Sequence, residues 1–171
     1  MPAPPPPVFT PRLAATATVL ASFVLRVALG RLRLFPGFLP LRWCRRAAVV
    51  LLSIAVLLLR DAGAALKAAG SDEGFSIIPS GLATTGLYAA SRNPYYDVLS
   101  LLIVPSIAVA LNSLWPLVLL PFLLAHLSLV VVPYEEALLD ETFGKEYATY
   151  CTRVPRWYVQ SWLSQMDIGT N

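Results

Sequence analysis

The stretch Ser80–Tyr96, SGLATTGLYAASRNPYY, gathers residue types that hold a polar ligand. It offers a Gly-containing turn with backbone donors, aromatic faces at Tyr88, Tyr95 and Tyr96, one guanidinium at Arg92, and a bend fixed at Asn93-Pro94. Such a surface suits a cofactor with a flat base, a sugar and a charged tail. A second polar group, Tyr134-Glu135-Glu136, follows a run from Val98 to Pro133 that contains no Asp, Glu, Lys or Arg. If that run enters a bilayer and returns, the two polar flanks meet on one membrane face, and a cofactor site formed by both is the expected arrangement. Each feature also has a plainer origin. Tyrosines collect at headgroup depth, and paired glutamates mark where a helix leaves the membrane. Composition by itself leaves both readings open.

Membrane-grade elements must position these groups. The chain has 171 residues, 57% of them hydrophobic and 13% charged, with a mean hydropathy of +0.65, the balance of an integral membrane protein rather than a soluble domain. Its net charge of +3 comes from Arg residues that flank apolar segments, which suits lipid headgroups and argues against nucleic acid as a partner. Cys44 and Cys151 lie far apart with no Cys or His at ligand spacing, so neither a disulfide nor a metal site is expected. His126 stands alone on an apolar helix and reads as a hydrogen-bonded interior residue.

The expected architecture is an all-α integral membrane bundle of about four transmembrane helices plus a C-terminal amphipathic helix. Residues 1–10 form a Pro-rich, disordered N-terminus, 11–70 carry the N-terminal membrane helices and a basic linker, and 71–171 form the functional core. The first span is expected over Pro11–Gly30, with Arg26 extending its head group toward the interface. The linker Arg31–Arg46, with Arg31, Arg33, Arg42, Arg45 and Arg46, precedes a second span from Ala47 to about Leu66, where Arg60 and Asp61 pair near one boundary. Gly70–Gly81 reads as a loop. One crossing takes roughly 20 apolar residues, so Val98–Pro133 is long for one and suits two, joined at Asn112-Ser113 with Trp115 at the interface and kinks at Pro105 and Pro121. Beyond Pro133, Leu138, Leu139 and Phe143 recur at helical spacing, an amphipathic helix that Gly144 ends or bends, and the tail Trp157–Met166 looks interfacial. Four crossings set the basic linker opposite the Ser80 loop, against the positive-inside preference. An incomplete first crossing, a linker lying along the membrane, or an N-terminal targeting sequence, since no acid precedes Asp61, each relieves that conflict.

Read together, GLATTGLYAASRNPYYDV and, after the hairpin, EEALLDETFGKEYATYCTRVPRW resemble the isoprenylcysteine carboxyl methyltransferase family and the related small membrane phospholipid methyltransferases. The family pattern runs approximately L-V-T-x-G-x-Y-x-x-x-R-H/N-P-x-Y, then a hairpin, then E-E-x-x-L-x-x-x-F-G-x-E-Y-x-x-Y-x-x-x-V-P. The resemblance covers Ser80 to Arg156, and two ordered motifs flanking two apolar helices are more specific than either alone. It implies S-adenosylmethionine as methyl donor, bound by Ser80, Gly81, Leu82, Ala83, Tyr88, Asn93, Pro94, Tyr95, Tyr96 and Glu135. Ser80 stands where the eukaryotic enzymes of the family have His, Asn93 replaces the commoner His before Pro94, and Val131 stands where those enzymes place a substrate-binding Arg, leaving Arg92 or Arg156 to meet a carboxylate. The implied reaction is methyl esterification of the C-terminal carboxylate of prenylated proteins, in the endoplasmic reticulum membrane if the chain is eukaryotic, or in another organellar membrane. The alternatives are methylation of a phospholipid or other lipid acceptor, and a non-catalytic membrane scaffold that retains the fold.

Overall fold

The computed structural model describes residues 10–29, 40–70 and 80–160. The Pro-rich N-terminus, most of the basic linker, the middle of the Gly70–Gly81 loop and the tail after Gln160 lie outside the described residues. Helix α1 (Pro11–Ala28) opens on Thr10, whose hydroxyl accepts from the Leu13 amide at 3.4 Å, and Pro11 fills a first-turn position where no N–H is required. Helix α2 (Leu41–Ala68) begins ahead of the expected Ala47. Pro40 lends its carbonyl to the Trp43 amide at 2.9 Å, and Arg42, Arg45 and Arg46 ride on the first turns. There the Arg46 guanidinium lies 5.0 Å from the Trp43 ring centroid. Arg60 and Asp61 are both exposed and form no ion pair, contrary to expectation. The reason is geometric, since successive helical residues point in different directions.

Helices α3 (Pro94–Leu111) and α4 (Trp115–Phe143) are joined at the expected turn. Asn112 takes the left-handed conformation, with φ 43°, and the Ser113 amide closes on the Ala108 carbonyl at 2.9 Å, which ends α3. Each helix contains a π-helical stretch, Leu99–Ile103 in α3 and Leu127–Val131 in α4, and each stretch stops two residues short of a proline, Pro105 or Pro133. A proline lacks the N–H and crowds the carbonyl four residues back, and a widened turn moves that carbonyl aside. The distortions therefore fall at Pro105 and Pro133, while Pro121 lies inside regular α-helix. Helix α4 continues unbroken past Glu135 to Phe143, so the hairpin arm and the amphipathic helix expected from the sequence are one element. Gly144, with φ +49°, ends it, and α5 (Lys145–Arg153) follows.

Helices α2, α3 and α4 are long and apolar enough to cross a membrane, Leu13–Ala28 is a shorter apolar helix, and no strand occurs among the described residues. The chain divides into two compact units. In the one built from 10–29, 40–56 and 98–133, α1 and α3 each pack on α4 around Val104, Ala108, Leu123, Leu127 and Val131. Arg26 donates to the Leu111 carbonyl in this unit, at the open C-terminal end of α3. The other unit, 57–70, 80–97 and 134–160, centres on Tyr147, Tyr150 and Val154, with Leu82, Leu139, Phe143 and Cys151 packed around them.

Candidate functional site

All the residues expected to hold the cofactor lie in this second unit. The Ser80–Ala83 segment is pressed against the end of α2. Ser80 donates its hydroxyl proton to the Gly70 carbonyl, and a Cβ on Gly81 would lie 2.0 Å from the Ala69 carbonyl oxygen, so only glycine fits. Leu82 joins the tyrosine cluster and Ala83 is buried, so these two side chains face protein. A 3₁₀ turn at Gly86–Ala89 then presents Tyr88, whose carbonyl accepts from the Tyr150 hydroxyl at 2.7 Å. Next, the Arg92 amide donates to the Pro155 carbonyl at 3.0 Å and the Asn93 side-chain amide to the Arg156 carbonyl at 3.0 Å, tying this stretch to the segment after α5. The Asn93 carbonyl receives the Tyr96 and Asp97 amides, both at 3.0 Å, and so starts α3 with Pro94 at its first position. Asp97 is buried, accepting from the Ser91 hydroxyl and from the Tyr158 amide at 3.2–3.3 Å.

The two acids on α4 have different surroundings. The Tyr96 hydroxyl, itself nearly buried, donates to Glu135 Oε1 at 2.5 Å. Glu136 instead takes two guanidiniums. Its Oε1 lies 3.0 Å from Arg92 Nη1 and 3.0 Å from Arg156 Nε, and its Oε2 accepts from Arg156 Nη2. Arg92 Nη1 also reaches Cys151 Sγ at 2.8 Å and the Tyr147 hydroxyl at 3.4 Å. Burial alone would lower the Arg92 guanidinium, but Glu136, then Tyr147 and Cys151, outweigh it and leave its pKa raised. The Tyr147 phenol is pushed up by burial and by Glu136. Neither carboxylate is a solvated helix-exit charge, since the Glu136 side chain is only 16% exposed and Glu135 is half-buried.

The structure thus joins Tyr96 to Glu135, links Tyr88 to α5 through Tyr150, and places Arg92 in an ionic clamp. Tyr95 is half-buried and engaged, as is His126 in the other unit. Cys44 and Cys151 are free thiols. The sequence reading missed the clamp of Glu136, Arg92, Arg156, Tyr147 and Cys151. One signal pointed to it: an acid at the edge of an apolar helix requires a partner, and Arg92 and Arg156 are among the four cations inside the two motifs, with Lys145 and Arg153.

Residues 43–146 match the profile of the phospholipid methyltransferase family. The chain belongs to that family. No curated protein and no solved structure matches it. The matched stretch includes the whole Ser80–Tyr96 segment and both acids of α4. With helices long enough to cross a bilayer, this phospholipid methyltransferase family member is an integral membrane protein. Family members use S-adenosylmethionine, a donor carrying a sulfonium and an ammonium, and the donor set here fits such a group. Glu135 has no cation partner among the described residues, whereas its neighbour Glu136 has two.

Proposed function

We propose that this chain transfers a methyl group from S-adenosylmethionine to a lipid-borne amine at the membrane, with Glu135 as the seat for the cationic end of the donor. The observation that carries this reading is the unequal treatment of two adjacent carboxylates. Glu136 is neutralised by Arg92 and Arg156, while Glu135 receives one phenolic hydrogen bond. A half-buried carboxylate without a counter-cation is a site of negative potential that favours a positive ligand. Tyr96 fixes the rotamer of Glu135. The backbone of Ser80–Ala83, the faces of Tyr88, Tyr95 and Tyr96, and the bend at Asn93-Pro94 supply the rest of the cradle.

S-adenosylmethionine supplies a methyl on a positively charged sulfur, and what the protein must add is alignment and a water-poor setting. The buried Tyr96 hydroxyl meets the second requirement at its end of the cradle. An amine acceptor reacts through its neutral form and gives its proton to solvent at the membrane face, because Glu135 is committed to the cation of the donor.

Arg92 and Arg156 are both committed to Glu136, and Val131, where the prenylcysteine enzymes carry an Arg, is 1% exposed in an apolar core. Both facts favour an amine over a carboxylate acceptor. The second reading, a prenylated cysteine carboxylate, draws support from the side chain of Arg156, which at 36% exposure is the guanidinium most easily released. Labelled S-adenosylmethionine incubated with the solubilised protein and either phosphatidylethanolamine vesicles or N-acetyl-farnesylcysteine separates the two. Label in the extracted phospholipid is expected. Base-labile label on the cysteine analogue alone would refute the amine assignment, and no label on either substrate, with no cofactor binding, would refute the enzyme.

A further inference from the structure

Three polar residues around the start of α3, Ser91, Asn93 and Asp97, are only 2%, 8% and 7% exposed. Polar groups stay buried where they are bonded, and the bonds here converge on the chain after α5. The Arg92 amide donates to the Pro155 carbonyl at 3.0 Å, the Asn93 side-chain amide to the Arg156 carbonyl at 3.0 Å, and the Tyr158 amide to the two Asp97 oxygens at 3.3 and 3.2 Å. Asp97 Oδ2 also accepts from the Ser91 hydroxyl, whose oxygen accepts in turn from the Asn93 amide at 3.1 Å and pins the bend before Pro94. The same run reaches α4, because the Arg156 guanidinium sits on Glu136, next to Glu135. Pro155–Tyr158 is therefore a strap: its backbone holds the Arg92–Pro94 bend and one of its side chains holds α4.

We infer that Asp97 is a positioning residue: it fastens the far end of this strap and sets the rotation of the first turn of α3, which aims the Tyr96 hydroxyl at Glu135. Asp97 follows Tyr96 directly, and neighbouring helical residues are turned about 100° from each other. A carboxylate held from two sides, by Ser91 and by the Tyr158 amide, thereby fixes where Tyr96 points. Two acceptor oxygens are needed for this. Asparagine in the same place would set its NH₂ against the Tyr158 amide at 3.2 or 3.3 Å in either orientation, donor facing donor. An acid in a first helical turn also complements the helix dipole, but that role concerns stability alone and leaves Tyr96 unaffected. That the aim of Tyr96 matters for cofactor binding rests on the function proposed above; the aim itself does not.

The test uses the full chain in detergent micelles, with 3-fluorotyrosine placed at position 96 for fluorine NMR and unlabelled protein for calorimetric titration with S-adenosylmethionine. In the cofactor-free protein Asp97→Asn is expected to broaden or split the Tyr96 resonance. It should weaken S-adenosylmethionine about tenfold, the loss expected of Tyr96→Phe itself. Combined with Tyr96→Phe it should add less than about twofold, since residues that act through one another are not additive. Ser91→Ala cuts the same link from the other side and carries the same expectations should Asp97→Asn fail to fold, and Ser91→Thr, which keeps the hydroxyl, should restore the wild-type resonance. A lowered melting temperature with the Tyr96 resonance unchanged in both Asp97→Asn and Ser91→Ala overturns the inference, leaving Asp97 a dipole partner only. So does a loss of affinity as large on the Tyr96→Phe background as on wild type. Failure of the wild type to bind S-adenosylmethionine refutes the proposed function instead, and the resonance still decides the role of Asp97.

Discussion

Removing Glu136 should cost more stability than removing any other charge in the unit of 57–70, 80–97 and 134–160. Its side chain is 16% exposed, as is that of Arg92, and Arg92 donates besides only to a thiol and a phenol. In Glu136→Ala the Arg92 guanidinium stays enclosed without an anion, the situation in which breaking a buried pair costs about 3–5 kcal/mol. The partner contact to Arg156, at 36% exposure, adds at most about 1 kcal/mol because solvent screens it. For a chain of this length a kcal/mol corresponds to about 2–4 °C, so the expected drop in melting temperature is about 6–24 °C. Thermal unfolding of the detergent-solubilised protein, followed by circular dichroism at matched detergent, measures it. The double variant Arg92→Met with Glu136→Leu should recover most of the loss, since it removes the orphaned charge along with its partner. A drop of only 1–2 °C in Glu136→Ala, or no recovery in the double variant, would show that the clamp is no more than a surface pair and that the unit is held by its tyrosine cluster.

Three further outcomes are expected. Glu135→Gln keeps an acceptor for Tyr96 but loses the charge, and should weaken S-adenosylmethionine binding by about 10–100-fold; calorimetric affinities equal to wild type would remove Glu135 from the cofactor site. Tyr96→Phe deletes the 2.5 Å bond and leaves Glu135 free to turn, so the same titration should show about a tenfold loss, and an unchanged affinity would mean that the phenol does not orient the acid. Gly81→Ala drives a methyl against the Ala69 carbonyl, where 2.0 Å is too close for any Cβ, and overpacking of this kind costs about 1–3 kcal/mol; an unchanged melting temperature would show that the Ser80–Ala83 segment does not dock on α2.

The helical plan was legible because apolar length and turn chemistry are local properties. Asn112-Ser113 marks the hairpin turn by being polar and tolerant of left-handed backbone, and Pro116 just after it fits the first turn of the next helix. The start of α2 was not legible, because a run of arginines reads as linker even where it continues as helix and stacks on Trp43. Nor was the unity of α4. The composition changes sharply at Glu135, yet helix propensity carries the backbone straight through to a glycine. The clamp was out of reach for another reason. Which acid of a consecutive pair meets which cation depends on the rotation of the helix, which the sequence pattern sets only to within a turn.

Adjacent residues on a helix are turned about 100° from each other, and α4 uses that step to give Glu135 and Glu136 separate work. Glu136 turns toward Arg92 and Arg156 and ties the Ser80–Tyr96 segment to the chain after α5, while Glu135 turns toward Tyr96 and has no cation partner among the described residues. A half-buried carboxylate without a cation is destabilising in the ligand-free protein, and sites of function commonly retain such a cost. Glu135→Gln should therefore raise the melting temperature of the cofactor-free protein by a few degrees at about 2–4 °C per kcal/mol, while it weakens S-adenosylmethionine. Glu136→Gln should lower the melting temperature. Adding saturating S-adenosylmethionine should reverse the order of wild type and Glu135→Gln, because only the wild type gains the full binding energy. If both Gln variants shift stability in the same direction with and without the cofactor, the two acids share one structural role and the division of labour is wrong.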